Sequence, residues 1–342
     1  MKSGQVTIKD IAKELNISVS TVSRALADNP LVKPATKRAV TELAAKLNYQ
    51  PNFTALSLRN NTTRTLGVIL PQVVHEFFAT VLRGIEDVAY SNGYSVIICN
   101  THESYEREVI DAKALVNGRV DGILACVSKE TEDYEHFHEF KKRNIPLVFF
   151  DCVVDGIETD KVIIDDCDAA SSAVKHLIET GRKRIAYIGA PEGLLISKNR
   201  FKGYREALQS AGIDFDETLT IHMAAGDYED GEESIEQLSK RGVAFDAVFA
   251  ATDMLALGAL KSLKKGGYAI PSDISVCGFS NWKISEIYEP SLTTVHQPGY
   301  DMGQSAAEML FAQISHKGDE PYKSNTKVLK TSLIVRESSN AG

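Results

Sequence analysis

MKSGQVTIKDIAKELNISVSTVSRAL, residues 1–26, reads as two short amphipathic helices joined by a tight turn. Thr7 can cap the first helix, with Asp10 three residues on as the acidic partner of a capping box. Ile8, Ile11, Ala12 and Leu15 then recur on one helical face. Asn16 stands where the turn needs a residue tolerant of left-handed backbone, and Ile17 plugs the corner. Ser18 can cap the second helix, with Val22 and Leu26 facing inward and Val19, Ser20, Ser23 and Arg24 outward. The pattern is a helix-turn-helix whose second helix is sized for a DNA major groove; a plain helical hairpin is the competing reading.

Charge bears on that choice. Residues 1–64 hold ten Lys/Arg against four Asp/Glu, a balance of +6, whereas the whole chain carries −8, so residues 65–342 carry −14. A basic head on an acidic body concentrates phosphate affinity in one place. With 342 residues and 43% hydrophobic content, the chain can build more than one large core. No stretch is apolar enough to span a bilayer, and the polar N-terminus lacks a signal-peptide run, so a cytoplasmic protein is expected. The five cysteines (99, 126, 152, 167 and 277) are odd in number and never closely paired in sequence. Buried reduced thiols explain them, and neither a metal nor another cofactor is expected.

A third helix is expected from Pro34 to Leu47, with proline in the first turn. Residues 48–65 read as a linker containing one brief helix, Asn52 to Leu58. From residue 66 the pattern becomes alternating apolar strands and amphipathic helices, among them LGVILP (66–71), DGILACV (121–127), PLVFFD (146–151), RIAYIGA (184–190), DAVFAA (246–251) and ISVCGFS (274–280). Near-continuous apolar strands between helices mean parallel sheet buried on both faces, and about ten such strands call for two lobes.

In their order along the chain, VTIKDIAKELNISVSTVSRAL, LNYQPNFTALSL, LGVILP…FFATVLRGIE, RVDGILA, NRFKGYREAL, TDMLALGAL and SLTTVHQPGYDMG resemble the LacI family of bacterial transcription regulators, over nearly the whole chain. The resemblance implies an α/β fold. A three-helix head (1–50) and a hinge (51–65) precede a two-lobed core (66–342) of parallel doubly wound sheets, like that of periplasmic binding proteins. It implies a homodimeric repressor that binds palindromic double-stranded DNA and answers to a small effector, as for carbohydrate-utilisation genes. It also implies three crossings between lobes, near 162–166, 290–293 and 321–327. Lobe one would then hold about 66–163 and 293–321, and lobe two about 164–291 and 325–338.

Carried over residue by residue, the resemblance puts Val19, Ser20 and Arg24 at base edges. Arg24 either forks onto guanine or meets a phosphate. Thr7, Ser18, Thr21 and Asn52 fall to phosphates. Leu58 matches a leucine that wedges into the minor groove, with Ala55 packed near it; Leu56 competes for that role, and both could simply pack helix against helix.

Effector positions follow in the same way. His75 and Phe77 come after the first strand, and the Phe77 ring either stacks on a ligand or seats its helix. Asp151 matches a contact to ligand hydroxyls, Arg200 a clamping arginine and Tyr228 a stacking aromatic. Thr252 is the expected ligand contact beside Asp253, which caps the helix. At GFSNW the family's acidic residue is replaced by Ser280 and Asn281, and Trp282 follows as a stacking surface or a cover for the lobe edge. Aromatic faces, short polar groups and one arginine fit a sugar or a sugar acid; a purine or a protein corepressor fits less directly.

Two other classes fare worse. No GxxxxGK loop, GxSxG elbow or HExxH pair marks an enzyme. A transport binding protein would share the core but needs an export signal and no basic head. The chain also ends at RESSNAG with no apolar heptad tail to zip dimers together, which points to a dimer.

Overall fold

The computed structural model describes residues 6–49, 62–190, 193–316 and 320–340, in two compact units that meet in sequence at Thr63 and Arg64. The first unit is built on α1 (Ile8–Glu14), α2 (Val19–Leu26) and α3 (Pro34–Lys46). Ile11, Ala12, Val22, Ala25, Val32, Val40 and Ala44 form its buried core. Asn16 takes φ 51° at the end of α1, the left-handed conformation that its short polar side chain tolerates. The Asp10 carboxylate accepts the Thr7 N–H at 2.8 Å and the Thr7 hydroxyl at 2.7 Å, while Ser18 caps α2 by accepting the Thr21 N–H at 3.1 Å.

Among the described residues the second unit carries twelve strands: β1 (Thr65–Leu70), β2 (Ser95–Asn100), β3 (Gly122–Ala125), β4 (Leu147–Phe150), β5 (Asp160–Ile164), β6 (Ile185–Gly189), β7 (Thr220–His222), β8 (Ala247–Ala250), β9 (Ser275–Ser280), β10 (Thr293–His296), β11 (Thr326–Leu329) and β12 (Ser332–Ile334). They form two six-stranded sheets, ordered β11-β5-β4-β3-β1-β2 and β12-β10-β9-β8-β6-β7. Every pairing is parallel except β10 with β12. Every residue of β3, β4, β6 and β8 is buried, as parallel strands covered on both faces must be. Helices α4 (Glu76–Ser91), α5 (Tyr105–Asn117), α6 (Glu135–Lys142) and α12 (Gly299–Ser315) belong to the first sheet's lobe. Helices α7 (Asp166–Glu179), α8 (Leu195–Ser210), α9 (Tyr228–Lys240), α10 (Asp253–Lys265) and the short α11 (Lys283–Ile287) belong to the second.

Two of the three expected crossings move. The expectation that residue 293 opens the return to lobe one is corrected, because β10 pairs in parallel with β9 (Thr294 opposite Gly278). Its polar start is paid off within lobe two: the Thr294 hydroxyl donates to Asp253 and the Thr293 hydroxyl to the Arg336 carbonyl. The chain therefore leaves that lobe at Gln297–Pro298, just before α12. The last segment, expected whole in lobe two at about 325–338, is two strands in two sheets. β11 pairs with β5 and β12 with β10, so the third crossing is Lys330–Thr331 rather than 321–327. The first crossing runs through Asp165, between β5 and α7.

Candidate functional site

On α2, Val19, Ser20 and Arg24 are exposed together, opposite the buried Val22 and Ala25. Thr21 is half-buried and Thr7 exposed. The Thr7 hydroxyl proton is committed to Asp10, and the Ser18 hydroxyl lies 2.8 Å from both the Ser20 and the Thr21 hydroxyl, so part of the expected phosphate-binding set is engaged locally. Asn52, Ala55, Leu56 and Leu58 lie outside the described residues.

In the second unit, strand ends from both sheets frame a cavity of about 110 Å³ between the lobes, several times the ~10–15 Å³ that one water needs. Such a crevice at the carboxyl ends of parallel strands is where open α/β sheets bind ligands. Of the effector positions expected from the sequence, His75, Phe77, Asp151, Arg200, Thr252, Ser280 and Trp282 line it. Tyr228 does not: it opens α9, and the Lys261 ammonium sits 5.1 Å from its ring centre, while Gly226 two residues earlier reaches the cavity.

The polar centre is built from buried charge. Arg200 Nε donates to Asp166 at 2.7 Å, its Nη1 donates to the Ala251 carbonyl at 2.8 Å, and the guanidinium lies 3.8 Å over the Phe279 ring. Burial opposes the Arg200 charge, but the Asp166 and Asp151 carboxylates outweigh it and hold the group above its ordinary value. Asp151, 8% exposed, sits just past β4 with φ 56°. Burial, and then repulsion from Asp166, push its carboxyl up to about 6 despite the nearby Arg200. His75 is pushed below the usual imidazole value, first by burial and then by Lys129.

Both lobes reach across the cleft. His75 from lobe one meets Trp282 from lobe two with ring centres 5.0 Å apart, edge to face. Lys129 Nζ donates to the Ala225 carbonyl at 2.9 Å, and the Glu76 carboxylate accepts the Lys283 N–H at 2.6 Å.

Comparison with known proteins gives two family matches. Residues 7–52 match "Bacterial regulatory proteins, lacI family", and residues 63–332 match "Periplasmic binding proteins and sugar binding domain of LacI family". The chain belongs to the LacI family. Among curated LacI-family relatives, the catabolite control protein A of Priestia megaterium is 35% identical, over 89% of this chain and 91% of its own. The HTH-type transcriptional repressor PurR of Aliivibrio fischeri (strain MJ11) is 36% identical, over 92% and 93%. Among solved structures, a transcriptional regulator CelR–cellobiose complex superposes with a TM-score of 0.74 at 29% identity, covering 97% of this chain and 99% of its own.

This LacI-family core also uses residues that sequence reasoning passed over. Asp166, read only as part of a lobe crossing, anchors Arg200. Asp253, read as a helix cap, is buried and accepts the Ser285 and Thr294 hydroxyls and the Trp282 N–H at 2.8 Å, so it holds the Trp282 turn in place. Capping falls instead to Thr252, whose hydroxyl accepts the Leu255 N–H at 3.3 Å. Glu103, Lys129, Cys152 and Gln297 line the cavity, and Gln297 accepts the Ser280 hydroxyl at 2.8 Å. Gln297 directly follows β10, so the strand-end rule would have flagged it once that strand was placed in lobe two.

Proposed function

We propose that this LacI-family protein is a cytoplasmic repressor of carbohydrate-utilisation genes. It binds a palindromic operator as a homodimer and is released or retained by a small sugar-like effector. Two identical heads present identical α2 surfaces to two half-sites, with Arg24, Val19 and Ser20 at base edges and Thr7, Ser18 and Thr21 near phosphates. In this reading Asn52, Ala55 and Leu58 form the hinge that meets the minor groove between the half-sites.

The observation that carries the effector reading is the convergence of Arg200, Asp151, His75, Phe77 and Trp282 on one cleft between lobes. A sugar or sugar acid suits it. Asp151 and Arg200 bond hydroxyl or carboxylate oxygens, and the Phe77 and Trp282 rings cover the apolar face of the sugar ring. The relatives are transcription regulators rather than enzymes, and no step here breaks a bond. An effector shifts the lobe arrangement only as far as it prefers one state over the other, and Lys129–Ala225 and Glu76–Lys283 are contacts that such a shift remakes.

The test is in-vitro selection of genomic DNA fragments by the full-length protein at near-physiological salt, repeated with sugar mixtures. Enrichment of one palindrome supports the reading, and salt-sensitive binding without sequence preference in every mixture overturns it. Arg200→Ala should abolish the sugar response of operator binding while leaving operator affinity within about twofold; a normal response would place the effector elsewhere.

A further inference from the structure

Cys126 and Cys152 are far apart in sequence, yet the fold brings them together beside Asp151. The cause is the pairing of β3 with β4, Ala125 opposite Phe149, which places the residues just past both strand ends side by side. The Val127 N–H donates to the Cys152 carbonyl at 3.1 Å and locks that juxtaposition. Successive side chains in extended backbone point to opposite sides. Asp151 instead adopts φ 56°, and its carboxylate meets the thiol of the next residue, with Oδ2 3.6 Å from Cys152 Sγ and 4.0 Å from Cys126 Sγ. A non-glycine residue held left-handed costs free energy and persists where the surroundings impose it, commonly at ligand sites.

All three groups are buried, and one ligand atom from each lies within 4.8 Å of the others, the one such cluster of metal-ligating side chains among the described residues. Asp151 and Cys152 also line the cavity between the lobes. We propose that Cys126, Asp151 and Cys152 bind a thiophilic divalent cation of the Zn²⁺ type, with its fourth coordination position open to the effector cavity.

Two thiolates and one carboxylate suit a borderline-soft ion without geometric preference of its own, and three protein ligands with one open position is the pattern of an ion that also meets a small ligand. At a Zn–S length of about 2.3 Å, tetrahedral ligand atoms lie roughly 3.7 Å apart, so the cluster needs only small side-chain adjustments to close around an ion. Charge points the same way. The ionised cluster would carry three negative charges, and the neighbouring Arg200 cation is already paired with Asp166 at 2.7 Å. A divalent ion supplies the missing positive charge, and an oxygen of a bound sugar or a water completes the shell. The site goes beyond the regulatory reading and stands independently of operator binding.

The test is titration of the reduced full-length protein with Cd²⁺, an optical stand-in for Zn²⁺, in chelator-free buffer. The proposal expects a thiolate-to-metal charge-transfer band that saturates at one ion per chain and is displaced by Zn²⁺. Cys126→Ser with Cys152→Ser should remove the band, and Asp151→Asn should keep it while weakening affinity about tenfold or more. Far-UV circular dichroism and a cooperative urea-unfolding transition establish that each variant is folded. X-ray absorption at the zinc edge of the unaltered protein, which depends on no variant, should count two sulfur neighbours at about 2.3 Å. No saturable band, a band that survives in the double variant, or a sulfur count of zero or four would overturn the proposal. Loss of two titratable thiols without ion uptake would overturn it in favour of a disulfide.

Discussion

Arg200 shows how far single residues were legible. The motif NRFKGY marked it in the sequence, but its setting is made by Asp166 at 2.7 Å and Phe279 at 3.8 Å, partners brought from 34 and 79 positions away by packing that no local pattern encodes. Tyr228 opens α9 outside the cavity lining, with the Lys261 ammonium of α10 5.1 Å from its ring centre, another neighbour that no local pattern encodes. Two predictions belong at this scale. Arg24→Ala should weaken binding to the selected operator by about 1–3 kcal/mol and relax preference at one base pair per half-site; an equal loss on every sequence, read by competition binding, would make Arg24 a phosphate contact. Asp151 supplies a pH signature. Its carboxyl lies at about 6 in the folded chain against 3.8 ordinarily, so between those values the folded state keeps a proton that the unfolded state releases. Stability contributed by that proton is full below about pH 4 and is lost as pH rises through 6. In chelator-containing buffer, Asp151→Asn should therefore flatten the fall in stability between pH 4 and 6.5 by up to about 3 kcal/mol, as read from urea unfolding midpoints.

Among the elements, periodicity was enough where neighbours in sequence decide the outcome. α5, α9 and α10 start directly after Ser104, Asp227 and Thr252, and α5 and α10 stop directly before Gly118 and Gly266, boundary signals that the sequence itself displays. Which sheet a strand joins was not readable, because β10, β11 and β12 are three or four residues each and their sheet is fixed by partners such as Gly278 and Lys161. The break at Lys330–Thr331 carries no glycine or proline to announce it. Helix crossings were equally hidden. A Cβ at Gly303 on α12 would collide with the Val81 carbonyl on α4, and one at Gly84 with the Tyr300 carbonyl, so each helix leaves its side chain out where the other's backbone passes. Alanine favours an open helix by about 1 kcal/mol over glycine, but here a rigid carbonyl stands in the way. Gly303→Ala should destabilise the core by about 1–3 kcal/mol, with a lower denaturation midpoint and an unchanged slope; a neutral or stabilising effect would mean the two helices separate at little cost.

For the whole molecule, composition told more than any motif. A head at +6 on a body at −14 means that DNA attraction and body repulsion act on the same nucleic acid. Raising salt from 50 to 200 mM should weaken operator binding by roughly 10³-fold or more if six or more phosphates are met by the dimer. Sugar affinity, carried by buried groups in the cleft, should move by less than about twofold over the same range. Comparable salt slopes in filter binding and calorimetry would contradict this division of labour. The threading of the core has a consequence for how the molecule is made. On the ribosome, the head is complete once its first fifty residues emerge, because all three of its helices lie within them. The first sheet is different: its β5 edge is covered by β11, whose residues 326–329 come only after five of the second sheet's six strands. A nascent chain can thus present a finished DNA-reading head while its first lobe still waits for its closing strand. Synthesis of β11, rather than the appearance of the head, sets when the first sheet gains its edge strand.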